Sequence, residues 1–267
     1  MAQTGPNAEG PPIVGGPARD STVSLDALVA AVGSALDQGR APWFDPEAGE
    51  PVLLPEREGK GYWVGAPSVV ADNGRILLSY RRRRPRDGSP DERGHLAAIA
   101  QSTDGGRSFD DIWSLNKHDV GTSSLERFCL RRAGGAEWRL YTSWEDPPSS
   151  GRWRIDMMTA SSPDGFSLRS AVPVVRPDAV GVDAVKDPYV FSLGGPGGDV
   201  LMFVSTFLTP QGPAPTSLAT SADGAQFSWR DQALAVGEGW DGYQARISSV
   251  MPFGKGFVAY YDGAASA

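Results

Sequence analysis

Two acidic residues recur at matching positions of this sequence. Glu126 and Asp187 lie 61 residues apart, and Ala66 and Arg246 continue the same series at spacings of 60 and 59 residues. Two carboxyl groups held close together can divide proton transfer between a general acid and a general base. The spacing therefore selects Glu126 and Asp187 as the candidate catalytic pair, provided that the fold brings the repeated positions together.

Regularly spaced turns show that this spacing belongs to an internal repeat. Asp-Gly pairs begin at Asp104, Asp164 and Asp223, which are 60 and 59 residues apart. Glycine tolerates a positive φ and the Asp side chain bonds the amides that follow, so each pair predicts a tight turn between two strands. Each unit of about 60 residues then carries its own strands at a fixed distance from its matching position.

The second unit illustrates the strands that we predict for every unit. Its first strand falls at 124–130, its second at 138–143 and its third at 154–160, and a fourth leaves the Asp164 turn. Four antiparallel strands repeated at a fixed period are typical of the blade of a β-propeller, whereas a sandwich would not explain the period. The sequence therefore predicts an all-β propeller with about three and a half blades present.

The two ends of the chain are predicted to differ from the repeats. Residues 1–22 are rich in Gly, Pro, Ala and Asn, which predicts a disordered segment, and a short helix over 24–36 lies in a helical appendage at 23–42. Residues 43–267 form the predicted propeller domain, in which 43–54 is an outer or closing strand. The fourth unit stops after its second strand, so we expect an incomplete propeller at the C-terminus.

The repeat resembles known propeller families in two respects. The Asp-Gly turns are similar to degenerate Asp-boxes of sialidases, which are structural turns remote from the substrate. The run Lys186-Asp-Pro-Tyr-Val190, with the Tyr- and Arg-rich first unit, looks more like the five-bladed glycoside-hydrolase propellers of the arabinanase, xylosidase and invertase type. This resemblance covers most of positions 60–262. It implies a five-bladed propeller whose residues just before each innermost strand face a central funnel and hold a sugar.

The resemblance also implies a reaction, the cleavage of a glycosidic bond. One carboxyl group must protonate the leaving oxygen while the other activates water or attacks the sugar, and the acidic pair can supply both. The superfamily usually places a base aspartate in the first blade, where this chain has Ala66. Either the pair acts with Asp241, Asp262 or a residue of a further blade, or the site binds a sugar without cleaving it.

Six further residues are candidate binding groups around the acidic pair. A guanidinium can orient a catalytic carboxylate, or can bind a sugar carboxylate or a phosphate through its planar fork. Strand alternation can instead turn Arg127 away from the site that Glu126 enters. Aromatic faces stack on sugar rings, and they equally fill the space between blades. The six are Arg127 and Lys186 beside the pair, Trp63 in the first unit, and Asp241, Tyr243 and Arg246 in the fourth.

Composition excludes several classes of protein. The formal charge of -7 disfavours nucleic-acid and membrane partners, and no apolar run reaches the roughly 20 residues of a membrane span. The single Cys129 excludes an intrachain disulfide and, without a basic and apolar leader, favours a cytoplasmic location. Two histidines and no nucleotide-binding glycine motif predict no cofactor and no His/Cys metal site, while Ca²⁺ on oxygen ligands stays open.

Together these patterns predict a glycoside hydrolase-like protein that acts on a small carbohydrate by carboxylate acid/base chemistry. The alternative is a catalytically inactive propeller that binds carbohydrate or serves as a scaffold, because Ala66 stands at the usual base position. The sequence leaves open the sugar, the linkage, the stereochemical outcome and the oligomeric state.

Overall fold

The computed structural model describes residues 46–86, 92–193, 198–253 and 256–266. The predicted disordered segment 1–22, the helix 24–36 and the appendage 23–42 lie outside the described residues. Short alternating apolar segments separated by Gly- and Pro-rich turns form strands, as expected for this pattern. Helical segments within the described ranges are short: 3₁₀ turns at Pro46–Ala48 and Leu168–Ser170, α1 (Lys117–Val120) and α2 (Pro177–Val180).

Three antiparallel sheets of four strands follow one another along the chain, and a two-stranded sheet follows them. In each sheet the strands pair in sequence order, so every unit is a meander. The repeat predicted from the sequence is therefore confirmed, including the strand pair of the fourth unit. The first sheet contains β1 (Trp63–Asp72), β2 (Arg75–Arg83), β3 (Leu96–Ser102) and β4 (Asp110–Asn116); the second β5 (Cys129–Gly134), β6 (Glu137–Glu145), β7 (Trp153–Ala160) and β8 (Val172–Val175); the third β9 (Ala184–Ser192), β10 (Val200–Phe207), β11 (Thr216–Ser221) and β12 (Ser228–Leu234); the fourth β13 (Gln244–Phe253) and β14 (Gly256–Ala264).

The segment predicted as an outer or closing strand does not form one where the structure describes it. After the 3₁₀ turn, residues 49–54 belong to no strand and are mostly exposed to solvent. Pro51 and Pro55 have no amide hydrogen to donate to a strand ladder, which accounts for the irregular conformation. The prediction for 43–54 was therefore wrong over its described part.

The Asp-Gly turns join the third and fourth strands of their sheets. In the first sheet, the carboxylate of Asp104 accepts hydrogen bonds from the amides of Arg107, at 2.9 Å, and Ser108, at 3.1 Å. In the third sheet, Asp223 accepts from two amides at 2.8 and 2.9 Å in the same way. Because each aspartate is occupied by its own loop, these turns hold hairpins together and supply no free carboxylate.

The first strands of neighbouring units lie side by side as the innermost strands. The Cys129 thiol in β5 lies 3.4 Å from the hydroxyl of Ser68 in β1 and accepts the amide of Val190 in β9 at 3.2 Å. The hydroxyl of Tyr189 donates to the carbonyl of Val250 in β13 at 3.2 Å. Each contact joins residues 61 positions apart, so the units succeed one another around the inner strands as blades do.

Hydrophobic clusters fill the space between neighbouring sheets. Buried side chains from the faces of adjacent sheets interdigitate, which removes apolar area from water and holds each blade against the next. The cluster joining the first and second sheets includes Leu77, Ile99, Leu125, Leu140 and Met158, and the cluster joining the second and third includes Tyr141, Ile155, Val185, Met202 and Val204.

Candidate functional site

A β-bulge marks the repeated position in the first strands. In β1 the pairing with β2 shifts between Gly65 and Ser68, and in β9 the pairing with β10 shifts between Lys186 and Tyr189. The bulged residues Ala66 and Asp187 both have left-handed backbones, with φ of 54° and 56°. This conformation costs a non-glycine residue about 1–2 kcal/mol, so the repeated bulge is a defined feature of the unit.

The bulge of the fourth unit lies two residues away from the position that the spacing selected. In β13, Ile247 pairs with Tyr261 and Ser249 with Tyr260, which leaves Ser248 as the extra residue. Ser248 is therefore the bulged residue of β13, and Arg246 precedes the bulge. A one- or two-residue difference in loop length shifts the sequence spacing without changing the strand geometry, and the spacing alone could not show this.

Asp187 is buried, and its carboxylate is occupied by two arginine residues. Oδ2 accepts a hydrogen bond from Arg246 Nη1 at 2.6 Å, and Oδ1 accepts one from the backbone amide of Arg127 at 3.1 Å. Burial acts to raise the pKa of Asp187, but the charge of Arg246, then those of Lys186 and Arg127, outweigh it and hold this pKa below its usual value. Asp187 is therefore an ionised carboxylate at neutral pH.

Glu126 is buried beside a third arginine that sequence reasoning did not select. Its Oε2 accepts a hydrogen bond from Arg81 Nη1 at 2.5 Å, and its Oε1 accepts one from the Ser124 hydroxyl at 3.1 Å. Burial and, less strongly, the neighbouring charge of Asp187 act to raise the pKa of Glu126. The positive charges of Arg81, Lys186 and Arg93 together outweigh them and hold this pKa below its usual value. The two predicted catalytic carboxylates thus influence each other within one charged site.

A bulge also brings Arg127 into the site beside Glu126. Leu125 lies opposite Trp144 and Cys129 opposite Tyr141, so three residues of one strand face two of the other and the simple alternation of side chains is broken. The Arg127 side chain is only 5% exposed, and its Nη2 lies 3.8 Å from Asp262 Oδ2. Its Nε and Nη1 atoms are buried without a hydrogen-bond partner.

Arg246 holds two carboxylates at once. Besides Asp187, it binds Asp262, its cross-strand partner in β14, through Nη2 at 2.6 Å and Nε at 3.0 Å. Burial acts to lower the pKa of Arg246, and the charges of Asp187 and Asp262 raise it overall. Arg246 therefore holds the carboxylates of Asp187 and Asp262 close together.

Lys186 reaches the same site from the residue before Asp187. Its ammonium group lies 4.9 Å from the ring centre of Trp153 and 5.2 Å from that of Phe207. These distances are those of cation–π contacts, which hold the ammonium in place without neutralising its charge. Its charge contributes to lowering the pKa of both Glu126 and Asp187.

We call this set of side chains the charged cluster. Its members come from β2, from the segment just before β5, from β9, and from β13 and β14, so no single sheet contains it. It contains four cations and three carboxylates, in a chain whose formal charge is -7. The members are Arg81, Glu126, Arg127, Lys186, Asp187, Arg246 and Asp262.

The remaining predicted binding residues lie beside the charged cluster or apart from it. Trp63 is 40% exposed, and its ring lies 5.1 Å from the guanidinium carbon of Arg81. Asp241 accepts a hydrogen bond at 3.1 Å from the hydroxyl of Tyr261, the residue that precedes Asp262 in the chain. Tyr243 instead directs its hydroxyl to the carbonyl of Gln211 at 3.4 Å, away from the acidic pair.

Sequence reasoning missed Arg81 and Trp240. Arg81 was not among the candidate residues, yet it lies in β2 opposite Gly65 and next to the bulge at Ala66. The expected pairing of the first two strands places Arg81 beside Ala66, the first-unit position of the repeat, and this pairing was the signal that could have identified Arg81. Trp240 is 59% exposed and stacks on Tyr261 at 5.2 Å, and a lone tryptophan in a Gly-rich loop gave no comparable signal.

Within the described ranges, no group of three or more His, Cys, Asp or Glu side chains is arranged to hold a metal ion. In the same part of the chain, no helix is long and apolar enough to cross a membrane.

Comparisons with known proteins identify the architecture. No family model matches the chain, and no curated protein matches its sequence. Among solved structures, a β-1,2-mannobiose phosphorylase from Listeria innocua, in complex with β-1,2-mannobiose, is 16% identical with a TM-score of 0.55, over 82% of this chain and 72% of that one. A glycosyl hydrolase from Bacteroides ovatus is 13% identical with a TM-score of 0.57, over 83% and 69%.

A third solved structure has a similar arrangement of strands. The GH32 β-fructofuranosidase BmSUC1 of Bombyx mori is 14% identical with a TM-score of 0.52, over 74% of this chain and 42% of that one. At such identities the likeness concerns the arrangement of the strands and not the chemistry. The chain therefore has the β-propeller fold found in these glycoside hydrolases and phosphorylases, as its sequence resemblance implied.

Proposed function

We propose that this protein binds a carbohydrate at the charged cluster and cleaves or transfers its glycosidic bond, with Glu126 and Asp187 as the carboxylate pair. The observation that carries the proposal is the convergence of these two buried carboxylates, which lie 61 residues apart in the sequence, beside the inner strands. Glycosidic bond cleavage needs such a pair. The mannobiose bound in the Listeria structure of similar fold supports a carbohydrate ligand.

The different surroundings of the two carboxylates suggest different roles. Asp187 is held ionised by Arg246 and the Arg127 amide, which suits a base or nucleophile. Burial and, less strongly, Asp187 act to raise the pKa of Glu126, and Arg81 is the largest of the positive charges that lower it, ahead of Lys186 and Arg93. A sugar that displaced Arg81 would remove the largest of these lowering charges and move Glu126 towards its protonated form. We therefore assign Glu126 as the proton donor in the complex with substrate.

The predicted binding groups fit around this pair. Trp63 presents an exposed ring beside Arg81, where it can stack on a sugar, and Lys186 and Arg127 offer donors to hydroxyl or anionic groups. Arg246 positions Asp187. Asp241 and Tyr243 belong to the loop after β12, and we assign them to the edge of the site, where they contact the outer part of a substrate.

The test is turnover of a panel of aryl furanosides and pyranosides, with and without inorganic phosphate, by the wild type and by Glu126→Gln and Asp187→Asn. Each substitution removes a group that acts in the transition state, so we expect kcat/KM to fall by about 10²-fold or more. Asp178→Asn is the matched control, because Asp178 is exposed on α2, forms an ion pair with Arg176 and lies outside the charged cluster. Full turnover by both variants, with the same substrates, would contradict the proposal.

A second candidate function is carbohydrate binding without cleavage. It is favoured by Ala66, which has the same bulge and left-handed backbone as Asp187 but no carboxylate. In that case a sugar of the panel would raise the Tm of the protein with no turnover of its glycosides, because a ligand that binds only the folded state stabilises it. Turnover that is lost in Asp187→Asn would exclude this candidate.

A further inference from the structure

We propose that Arg127 and Arg246 form an oxyanion subsite within the charged cluster, and that the carbohydrate bound there carries a carboxylate. This inference rests on the proposed function for the sugar, and it names the chemical class of that sugar. Two guanidinium groups bind an oxyanion, which can be the carboxylate of an acidic sugar or inorganic phosphate. The experiment must therefore distinguish these two ligands.

The first argument is the unsatisfied hydrogen-bonding capacity of Arg127. Its side chain is 5% exposed, yet two of its three nitrogen atoms, Nε and Nη1, have no hydrogen-bond partner in the protein. Nη2 has only a long contact, 3.8 Å, with Asp262. A guanidinium binds a planar carboxylate with two parallel bonds through Nε and Nη2 or through Nη1 and Nη2, and neither edge of Arg127 makes a hydrogen bond within the described part of the protein. Leaving such a fork buried and empty is unfavourable, and an incoming oxyanion removes the penalty.

The second argument is that the chain already places a carboxylate between these two arginines. The side chain of Asp262 is 45% exposed, and its oxygens lie 2.6 Å from Arg246 Nη2 and 3.8 Å from Arg127 Nη2. The spacing of the two guanidinium groups therefore accommodates one carboxylate between them. Because Asp262 lies at the solvent-facing side of the pair, a ligand carboxylate can take its place while Asp187 keeps its own bond to Arg246.

The third argument is the local charge. The four cations of the charged cluster exceed its three carboxylates, although acidic residues exceed basic residues by 32 to 25 in the whole chain. A neutral sugar that displaced Asp262 would leave four cations with only two carboxylates in the cluster, whereas a ligand carboxylate in the place of Asp262 would keep three.

The experiment measures ligand binding to the full chain by calorimetry. The probes are D-glucuronate and D-galacturonate, the matching neutral sugars D-glucose and D-galactose, and inorganic phosphate. We expect at least one uronate to bind about 10-fold or more tightly than its neutral counterpart, which corresponds to one charge-assisted hydrogen bond. Added salt should weaken the binding of the uronate more than that of the neutral sugar.

Three variants separate a binding role from a structural one. Arg127→Gln should abolish the preference for the uronate, and Arg127→Lys, which keeps the charge but loses the fork, should retain only part of it. Asp262→Asn should strengthen uronate binding, because it removes the competing charge. Arg176→Gln is the matched control at an exposed arginine on α2. Circular dichroism and Tm establish that each variant is folded.

The outcomes for the subsite and for the proposed function are distinct. Equal binding of uronates and neutral sugars, with glycoside turnover intact, would overturn the subsite and leave the proposed function standing. Binding of phosphate but not of either uronate, lost in Arg127→Gln, would overturn the acidic sugar and assign the oxyanion as phosphate. Uronate binding that is lost in Arg127→Gln, with no turnover of any glycoside, would support the subsite and count against the catalytic function.

Discussion

At the scale of single residues, the charge state of the acidic pair is decided by the arginines around it. Burial alone would favour protonated carboxyl groups, which is the condition that a general acid requires. Arg81 and Arg246 reverse this preference, so both carboxylates have lowered pKa values in the unliganded protein. Which of the two carboxyl groups can act as the general acid therefore depends on whether a substrate displaces Arg81 or Arg246.

The first prediction at this scale concerns Arg81→Gln. The substitution removes the largest of the positive charges that lower the pKa of Glu126, so burial and Asp187 move this pKa upward. A proton donor with a higher pKa stays protonated to a higher pH. We therefore expect the alkaline limb of the profile of kcat/KM against pH to move upward in Arg81→Gln, and to stay near the wild-type position in Arg81→Lys.

The opposite outcome is equally informative. If the acidic limb of the profile moves upward instead, Glu126 acts in its ionised form and our assignment of it as the proton donor is wrong. The Arg176→Gln variant, in which an exposed ion pair on α2 is lost, should leave both limbs unchanged.

At the scale of structural elements, the bulges and the loops beside them position the site. The bulge over residues 126–128 turns both Glu126 and Arg127 into the charged cluster, against the alternation expected of a regular strand. The chain just before this bulge is held by the turn between β2 and β3, where the amide of Leu125 donates to the carbonyl of Gly94 at 3.0 Å. The geometry of the site thus depends on a turn in the neighbouring sheet.

The prediction for this element concerns Gly94→Ala. Gly94 has a φ of 58°, and a Cβ placed there would lie 2.6 Å from the carbonyl oxygen of Leu125 and overlap the hydroxyl of Ser124. We expect the free energy of unfolding to fall by about 3 kcal/mol and glycoside turnover to fall with it, because the segment that carries Glu126 must shift. Chemical denaturation and the turnover assay measure the two effects.

Gly135→Ala provides the matched control for this prediction. Gly135 has a similar φ of 53°, but a Cβ placed there would meet no atom within 4 Å. We expect the free energy of unfolding of Gly135→Ala to fall by only about 1 kcal/mol, the cost of placing an alanine at a positive φ, with turnover unchanged. Equal losses in the two variants would show that the contact between Gly94 and the Leu125 segment does not matter.

At the scale of the whole molecule, the inner strands join the blades. Cys129 lies at this junction, between Ser68 of the first sheet and Val190 of the third, and its side chain is buried. Burial also raises the pKa of its thiol, which keeps it in the unreactive protonated form. The only cysteine of the chain is thus placed where separation of the blades is needed to expose it.

The prediction at this scale is that labelling of Cys129 by a thiol reagent reports global opening. In native buffer we expect labelling about 10³-fold or more slower than in denaturant, because only the small population of opened molecules reacts. Gly94→Ala should accelerate labelling in proportion to its lost stability. Labelling in native buffer at the rate seen in denaturant would show that the junction of the inner strands is open in solution.

The sequence by itself determined the repeat, the strand order within each unit and the acidic pair. These features depend on local chemistry that recurs: Asp-Gly pairs make turns wherever they occur between strands, and a fixed period places equivalent residues in equivalent strands. The resemblance of the run around Asp187 to propeller glycoside hydrolases was confirmed for the fold. The roles of the acidic pair and of the binding residues stay predictions.

The tertiary structure alone decided which partners surround the acidic pair. Arg81 in β2 reaches Glu126, which is 45 residues away in the sequence, and Asp262 in β14 shares Arg246 with Asp187. Side chains meet according to sheet packing and not according to sequence distance. The true position of the fourth bulge, at Ser248, and the entry of Arg127 into the site follow from strand pairing. A one-residue shift in the pairing of two strands leaves no recognisable pattern in the amino-acid sequence. Only the observed pairing of the strands shows where the bulge lies.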